Sequence, residues 1–346
     1  MRIPKLPRAL IVSLAMLSLV VGNSSGEPAA SVPVGCMTYP LTSGATISFG
    51  VPLLALPTLT GTTSTVTSNT IGVTDVSWTP DQFVSGGAVY FAAIRTGPQA
   101  GRTILVLGNT SNTLTLDVED TPLDTAGFAV TAAVDTVELF RGDTLGSLFG
   151  STADGSGFLA SGLKGGTSTQ NADSVQLFDG TAFITYFFNT SVGTWVRVNG
   201  GTISHNGLIL YPDDGMLLRR RGPNGSLTIL GRVPSTRLLT KIPGGTTSAT
   251  AIRFPVDTTL GGLNFGAPGT WLAGSSSSAA DTVSLWTGSK WDTYFKNLNN
   301  QWRKAAGNGG DQTNLAIRAG TSIRITKKGS ATGAAAYLSQ TLPYGL

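Results

Sequence analysis

Leu177–Asn189 reads LFDGTAFITYFFN, and 108 residues later Leu285–Asn297 reads LWTGSKWDTYFKN. Across Asp173–Asn189 and Asp281–Asn297, eight of 17 positions are identical. Two more exchange Phe for Trp, at 178/286 and 183/291. The match extends outward: Asp143–Gly150 (DTLGSLFG) echoes Thr258–Gly266 (TTLGGLNFG), Trp195 meets Trp302, and Leu208/Leu210 meet Leu315/Ile317. Further on, Met216/Leu218 meet Ile323/Ile325, and RRRG ending at Gly222 meets TKKG ending at Gly329. A self-similarity of about 85–90 residues is longer than a solenoid or propeller unit and describes a duplicated domain.

Each copy reads as strands. Only 12% of residues are charged, Gly numbers 45, and Glu occurs three times, so helix formers for exposed faces are scarce. In the second copy, Trp291, Thr293 and Phe295 alternate with Asp292, Tyr294 and Lys296, the pattern of a strand with one wet side. The aromatic Trp291/Phe295 face is assigned to the core and the Tyr294 face to solvent. FDGT and WTGS place a Gly turn before this strand and predict a hairpin with the preceding SVQL or TVSL. A third strand is expected at Trp195 or Trp302. A later strand pair is expected around the Gly turns of LILYPDDGMLLRR and LAIRAGTSIRITKK. Residues 44–140 have no counterpart in the second half. TGTTSTVTSNTIGV and GRTILVLGNTSNTLTLDV read as hairpins, with VSWTPDQF as a loop or short helix between them. The predicted fold is all-β, with two related β-sandwich or jelly-roll-like modules plus a small antiparallel β-barrel-like insertion. The expected divisions are a leader at 1–30, an N-terminal β region carrying the insertion at 31–140, and repeats at 141–235 and 236–346.

Arg2, Lys5 and Arg8 precede the apolar run Ala9–Val21, and small polar residues follow. This is the pattern of a secretory signal peptide, with cleavage expected near Gly26 or Ala30, and it is too short for a membrane span. An exported protein in the periplasm, at the cell surface or outside the cell is expected, with no membrane span in the mature chain. Removing the leader lowers the net charge from +4 to about +1 or +2, which argues against nucleic acid as a partner. Cys36 is the only cysteine, so no internal disulfide is available; a buried, apolar role is expected for it.

The stretches TYPLTSGATISFGVPL, TPDQFVSGGAVYF, AGRTILVLGNTSNTLTLDVEDTP, YPDDG and GRVPSTRLLTKIPGG resemble an uncharacterised family of exported, Gly/Thr-rich, all-β proteins of Gram-negative bacteria. The resemblance spans nearly the whole chain after the leader. It implies export and a β fold, and it implies no chemistry.

Few residues carry reactive potential. His205, the only histidine, lies in GGTISHNGL with no nucleophile elbow nearby, and reads as a solvated loop residue. Asp213 and Asp214 in YPDDG weigh as a carboxylate pair or a calcium ligand set, but Pro-Asp-Asp-Gly is strong turn chemistry and the second copy lacks both acids. Asp117, Glu119 and Asp120 form a second acidic cluster, and Ala306–Asn314 (AGNGGDQTN) faintly resembles a calcium-binding nonapeptide. No catalytic residue, cofactor or metal site is assigned. The residues that remain for ligand binding are Tyr186 and Tyr294, matched aromatics able to stack on sugars, and Arg220 and Lys327 at equivalent strand ends. Their bland readings are packing against a neighbouring module and protection of an edge strand. The chain is thus expected to be a non-catalytic structural, adhesive or envelope-associated protein. The alternative is a carbohydrate-binding protein, and a secreted hydrolase ranks last. Cell-envelope polysaccharide and other surface proteins are the candidate partners.

Overall fold

The fold is seen in a computed structural model that describes residues 32–263, 271–307, 309–328 and 336–345. The leader, Gly329 and the end of the Thr258–Gly266 segment lie outside these residues. Thr, Val and Ile in short runs between Gly and Asn turns produce strands almost throughout, as the composition dictates. The chain begins with β1 (Val34–Leu41) and β2 (Thr46–Phe49). It then forms β3 (Pro57–Val66), β4 (Thr70–Val73), β5 (Tyr90–Ile94), β6 (Thr103–Asn109), β7 (Thr113–Leu116) and β8 (Thr136–Arg141). Next come β9 (Asp143–Thr144), the short helix α1 (Leu145–Phe149), β10 (Ser174–Phe178), β11 (Phe183–Asn189) and β12 (Thr194–Arg197). The first half closes with β13 (Ile209–Leu210), β14 (Met216–Arg219) and β15 (Gly225–Arg232). The second half holds β16 (Leu238–Ile242), β17 (Thr247–Ala251), β18 (Thr258–Thr259), β19 (Thr282–Trp286) and β20 (Trp291–Lys296). It ends with β21 (Trp302–Lys304), β22 (Ala316–Ile317), β23 (Ser322–Thr326) and β24 (Ala336–Gln340).

Two five-stranded antiparallel sheets share one order, β2-β14-β10-β11-β12 and β17-β23-β19-β20-β21. A two-stranded ribbon covers each sheet, β1-β15 in the first module and β16-β24 in the second. The layers close over separate apolar cores. One gathers Tyr39, Phe49, Phe149, Val175, Tyr186 and Trp195; the other gathers Leu238, Val283, Tyr294, Trp302, Ile323 and Leu338. The expected hairpins β10-β11 and β19-β20 are present, and the strands of Trp195 and Trp302 add to them. The later hairpin is not. β13 pairs with β9 and β14 with β10 and β2, because the YPDDG turn carries the chain from one layer to the other.

The region 57–141 is a closed barrel of order β3-β4-β7-β6-β5-β8 around Ile71, Ile94, Leu114, Leu116 and Leu139. Its two predicted hairpins, β3-β4 and β6-β7, are there. The barrel lies in the connection between β2 and β9, where the second module runs from β17 straight to β18. Pro57 and Phe140, at its two ends, are paired neighbours, so the barrel occupies that connection without disturbing its flanks. β1 and β2, grouped by sequence with the N-terminal region, are hydrogen-bonded to β15 and β14 of the first module.

The modules meet at a seam where β2 approaches β23 and β14 approaches β17. Equal strand order aligns β2 with β17 and β14 with β23, so this contact is one arrangement made twice. Gly50 donates to the Gly320 carbonyl at 2.7 Å, and the aligned Ala251 donates to the aligned Asp213 carbonyl at 2.9 Å. The seam is close: a Cβ at Gly50 would lie 2.1 Å from that of Ala251, and one at Gly215 would lie 2.3 Å from Ser322 Oγ. The exchanged aromatics meet here as well. Phe183 stacks on Trp291 at 5.9 Å and 11°, Trp286 packs edge-on to Trp291, and the Arg324 guanidinium covers Phe178 and Trp291. These four aromatics, paired off by the equal strand order, form one contact.

Candidate functional site

Neither predicted tyrosine is a surface group. Tyr186 is 8% exposed and Tyr294 is 6% exposed, each inside its module's core. The faces of the strand are the reverse of those expected from its alternation. Tyr294, Val283 and Trp302 point to the ribbon, whereas Trp291 points to the other module, and Thr293 Oγ1 bonds Ser284 Oγ at 2.9 Å on that outer face. A period of two separates faces but does not say which is inward, and here the outer face is also partly covered.

Arg220 and Lys327 are buried too, at 3% and 4% exposure, and neither forms a surface stripe. Arg220 Nη1 donates to Asp173 Oδ2 at 2.5 Å and to the Gly162 carbonyl at 2.9 Å, while its Nε donates to the Pro223 carbonyl at 2.7 Å. Asp173 further accepts from the amides of Lys164, Arg221 and Gly222. In the second module Lys327 Nζ pairs with Asp281, which also accepts from the amides of Leu272 (2.8 Å) and Lys328 (2.6 Å). Asp173 and Asp281 are aligned, as are Arg220 and Lys327. Each pair is a desolvated lock that joins the start of one strand to the end of its neighbour. The signal was available, since an acid and a base are each kept in both copies, but the run of Arg219–Arg221 masked which one turns inward.

The structure brings other residues together. A cleft of about 520 Å³ opens where the first module, the second module and the barrel meet. Tyr211, Asp213 and Asp214 come from the YPDDG turn, Asp117 and Glu119 from the barrel, and Lys241 and Tyr337 from the β16-β24 ribbon. The turn is set by its own chemistry: Tyr211 N donates to Asp214 Oδ2 at 2.8 Å and Asp214 N to the Tyr211 carbonyl at 2.9 Å. The Asp213 carbonyl accepts from Ala251 N and from Thr250 Oγ1 at 2.9 Å, so the seam holds the turn in place. Burial and the Asp213 charge push the Asp214 carboxyl up to about 7. Burial also raises Asp213, against the pull of the buried Arg253 guanidinium. Lys241 is engaged by Glu119 and Asp120. The arrangement can hold and release a proton near neutrality. Sequence reasoning named Asp213 and Asp214 and, separately, Asp117 and Glu119 of the barrel wall, but missed Tyr211 and Arg253 and did not bring the two acidic clusters together.

The seam has a second cleft, of about 450 Å³, at the aligned position. Trp286 stands there for Phe178, Thr287 for Asp179, Arg318 for Tyr211 and Thr321 for Asp214, with Ile47 and Ser48 of β2 for Ser248 and Ala249 of β17. Tyr294 lies in its lining, and Trp286 is oriented by donating Nε1 to the Thr46 carbonyl at 2.9 Å.

The other sequence candidates disperse. The His205 ring meets the Tyr186 ring edge-on at 5.2 Å, and its amide bonds the Trp195 carbonyl. Asp311 accepts from Thr313 N and Oγ1, a local turn. Among the described residues no group of three or more His, Cys, Asp or Glu is placed to hold a metal ion. Cys36, expected to be buried, is exposed on β1 opposite Leu230, because its side of the β1-β15 ribbon is the one turned away from the core. No helix among the described residues is long and apolar enough to cross a membrane. No protein-family model, no curated protein and no solved structure matches this chain.

Proposed function

We propose that this chain is a non-catalytic, exported structural, adhesive or envelope-associated protein whose two modules descend from a duplication. One observation supports the reading above others. The charged groups aligned between the modules, Asp173 with Arg220 and Asp281 with Lys327, are consumed inside the fold. A pair of active sites would instead keep aligned polar groups at an open surface, where an unpaired partner discriminates between ligands. The acid pair Asp213/Asp214 faces Gly320 and Thr321 at the aligned positions, and its backbone is tied into the seam. The leader pattern and the family resemblance point to export. The test has two arms, co-sedimentation of the purified chain with Gram-negative envelope fractions and turnover on a panel of glycoside and ester substrates. Sedimentation without turnover is expected. Turnover that Asp214→Asn abolishes overturns the reading in favour of a hydrolase.

A further inference from the structure

We propose that the cleft beside Trp286 binds an acidic sugar unit, a pyranose carrying a carboxylate. Tyr294 is more than nine-tenths buried as a residue and lines the cleft, while its hydroxyl is not sealed in the core, and no protein hydrogen bond to it is seen among the described residues. A hydroxyl presented at a cleft in this way can donate to or accept from a ligand. Burial holds the Tyr294 hydroxyl above its ordinary pKa, so it meets a ligand as a neutral donor and acceptor.

The rest of the lining selects the ligand's chemistry. Trp286 is a half-buried indole fixed by its bond to Thr46, a flat apolar wall suited to the C–H face of a sugar ring. Thr46, Ser48 and Thr321 add hydroxyls around it, while Leu285, Leu315 and Ile317 form an apolar floor. The only charged residue in the lining is Arg318, which is exposed and has no carboxylate within ion-pair distance among the described residues. With no acid in the lining, a cationic ligand finds nothing to pair with, and a wholly apolar one makes no use of the Tyr294 hydroxyl or the Arg318 guanidinium. A carboxylate on a hydroxylated ring answers both Arg318 and Tyr294. The aligned cleft lacks these features: Tyr211 replaces Arg318, Asp214 replaces Thr321, and Tyr186 is absent from its lining.

The assignment rests on the envelope-associated reading only for the source of the sugar, an acidic polysaccharide. It is tested by calorimetric titration of the full chain with glucuronate- and galacturonate-containing oligosaccharides and with neutral glucose oligosaccharides of equal length. Acidic oligosaccharides are expected to bind, and neutral ones at least about tenfold more weakly. Arg318→Gln and Tyr294→Phe each weaken binding about tenfold, while Tyr186→Phe, at the aligned position outside the cleft, leaves it unchanged. Unaltered thermal melts show that the variants are folded. No heat with any acidic oligosaccharide, or equal affinity for neutral ones or in Arg318→Gln, overturns the assignment. Envelope co-sedimentation that survives Arg318→Gln removes the cleft but leaves the envelope role standing. Binding of the free sugar without co-sedimentation does the reverse.

Discussion

The two clefts beside the seam occupy aligned positions in modules of equal strand order, yet they share almost no chemistry. One is acidic, walled by the barrel and contains a carboxyl titrating near neutrality; the other is lined by hydroxyls, an indole and one arginine. The locks behind them behave oppositely, keeping an acid and a base in both modules. Residues that a sandwich needs in order to close are of matching kind in both modules. Residues at the cleft surface differ, and most such changes cost little folding energy. The Arg-for-Lys exchange within the locks falls instead on a fully buried pair.

That exchange yields the largest expected effect. Asp173→Ala leaves the Arg220 guanidinium buried and uncompensated, and is expected to cost about 3–5 kcal/mol. Asp281→Ala removes the carboxylate from Lys327, whose ammonium still lies over the Trp271 ring at 5.2 Å, and a smaller loss of about 2–3 kcal/mol is expected. Denaturant melts decide it, and equal losses would break the contrast between the modules.

Tyr294→Ala comes next, at about 3–4 kcal/mol, because it empties part of a closed core. Trp291→Ala should cost less, about 1–2 kcal/mol, since its ring packs on Phe183 at the half-exposed seam. The reverse order in chemical melts would return the aromatic face to the core.

Asp214→Asn is expected to stabilise. Its carboxyl is held above the unfolded value, so the folded state binds the extra proton between 3.8 and about 7. Stability from this group is therefore present at low pH and declines as pH rises through that window. The amide keeps the bond from Tyr211 N and removes the charge, gaining about 1–2 kcal/mol at about pH 8 and nothing below pH 4. A flat difference between wild type and variant across pH would mean the acidic cleft is better solvated than its geometry indicates. The smallest effect is Tyr294→Phe without ligand, within about 0.5 kcal/mol of zero, because the hydroxyl removed had no partner. A clear loss in melts would reveal a partner and narrow the difference between the clefts.

Much of the architecture was legible in the residues. Gly180 and Gly288 between alternating runs marked the hairpins, and the Phe/Trp exchanges marked equivalent positions. What could not be read was direction. Alternation in WDTYFK separates Tyr294 from Trp291 but treats the two faces alike, and only packing of the ribbon over Tyr294 resolves them. The RRR run hid Arg220 for a related reason: one of three adjacent charges turns inward, and the choice is made by Asp173, 47 residues away. The candidate clefts were least legible of all. Tyr211, Asp117 and Lys241 come from three units, and nothing local in any of them signals the others.

The seam is narrow, three backbone bonds (Gly50 to Gly320, Ala251 to Asp213 and Gly215 to Ala249), the side-chain bonds of Thr250 and Trp286 and a handful of rings, and two free modules meeting through it alone would hold each other poorly. They are not free. β15 ends at Arg232 and β16 begins at Leu238, so a five-residue tether joins them. A tether that short confines each module to a small volume around the other, and the effective concentration it imposes lies in the millimolar range. Closure then needs only a weak intrinsic affinity, so the surfaces on either side of the seam can differ without opening it. Because the entropy of closing a loop grows only logarithmically, doubling a flexible tether would cost about 0.6 kcal/mol. This one is also fastened to the barrel, with Arg95 bonding Ser235 and Thr236 and Arg237 bonding the Pro98 and Ala100 carbonyls, so lengthening it should cost the bonds it displaces as well.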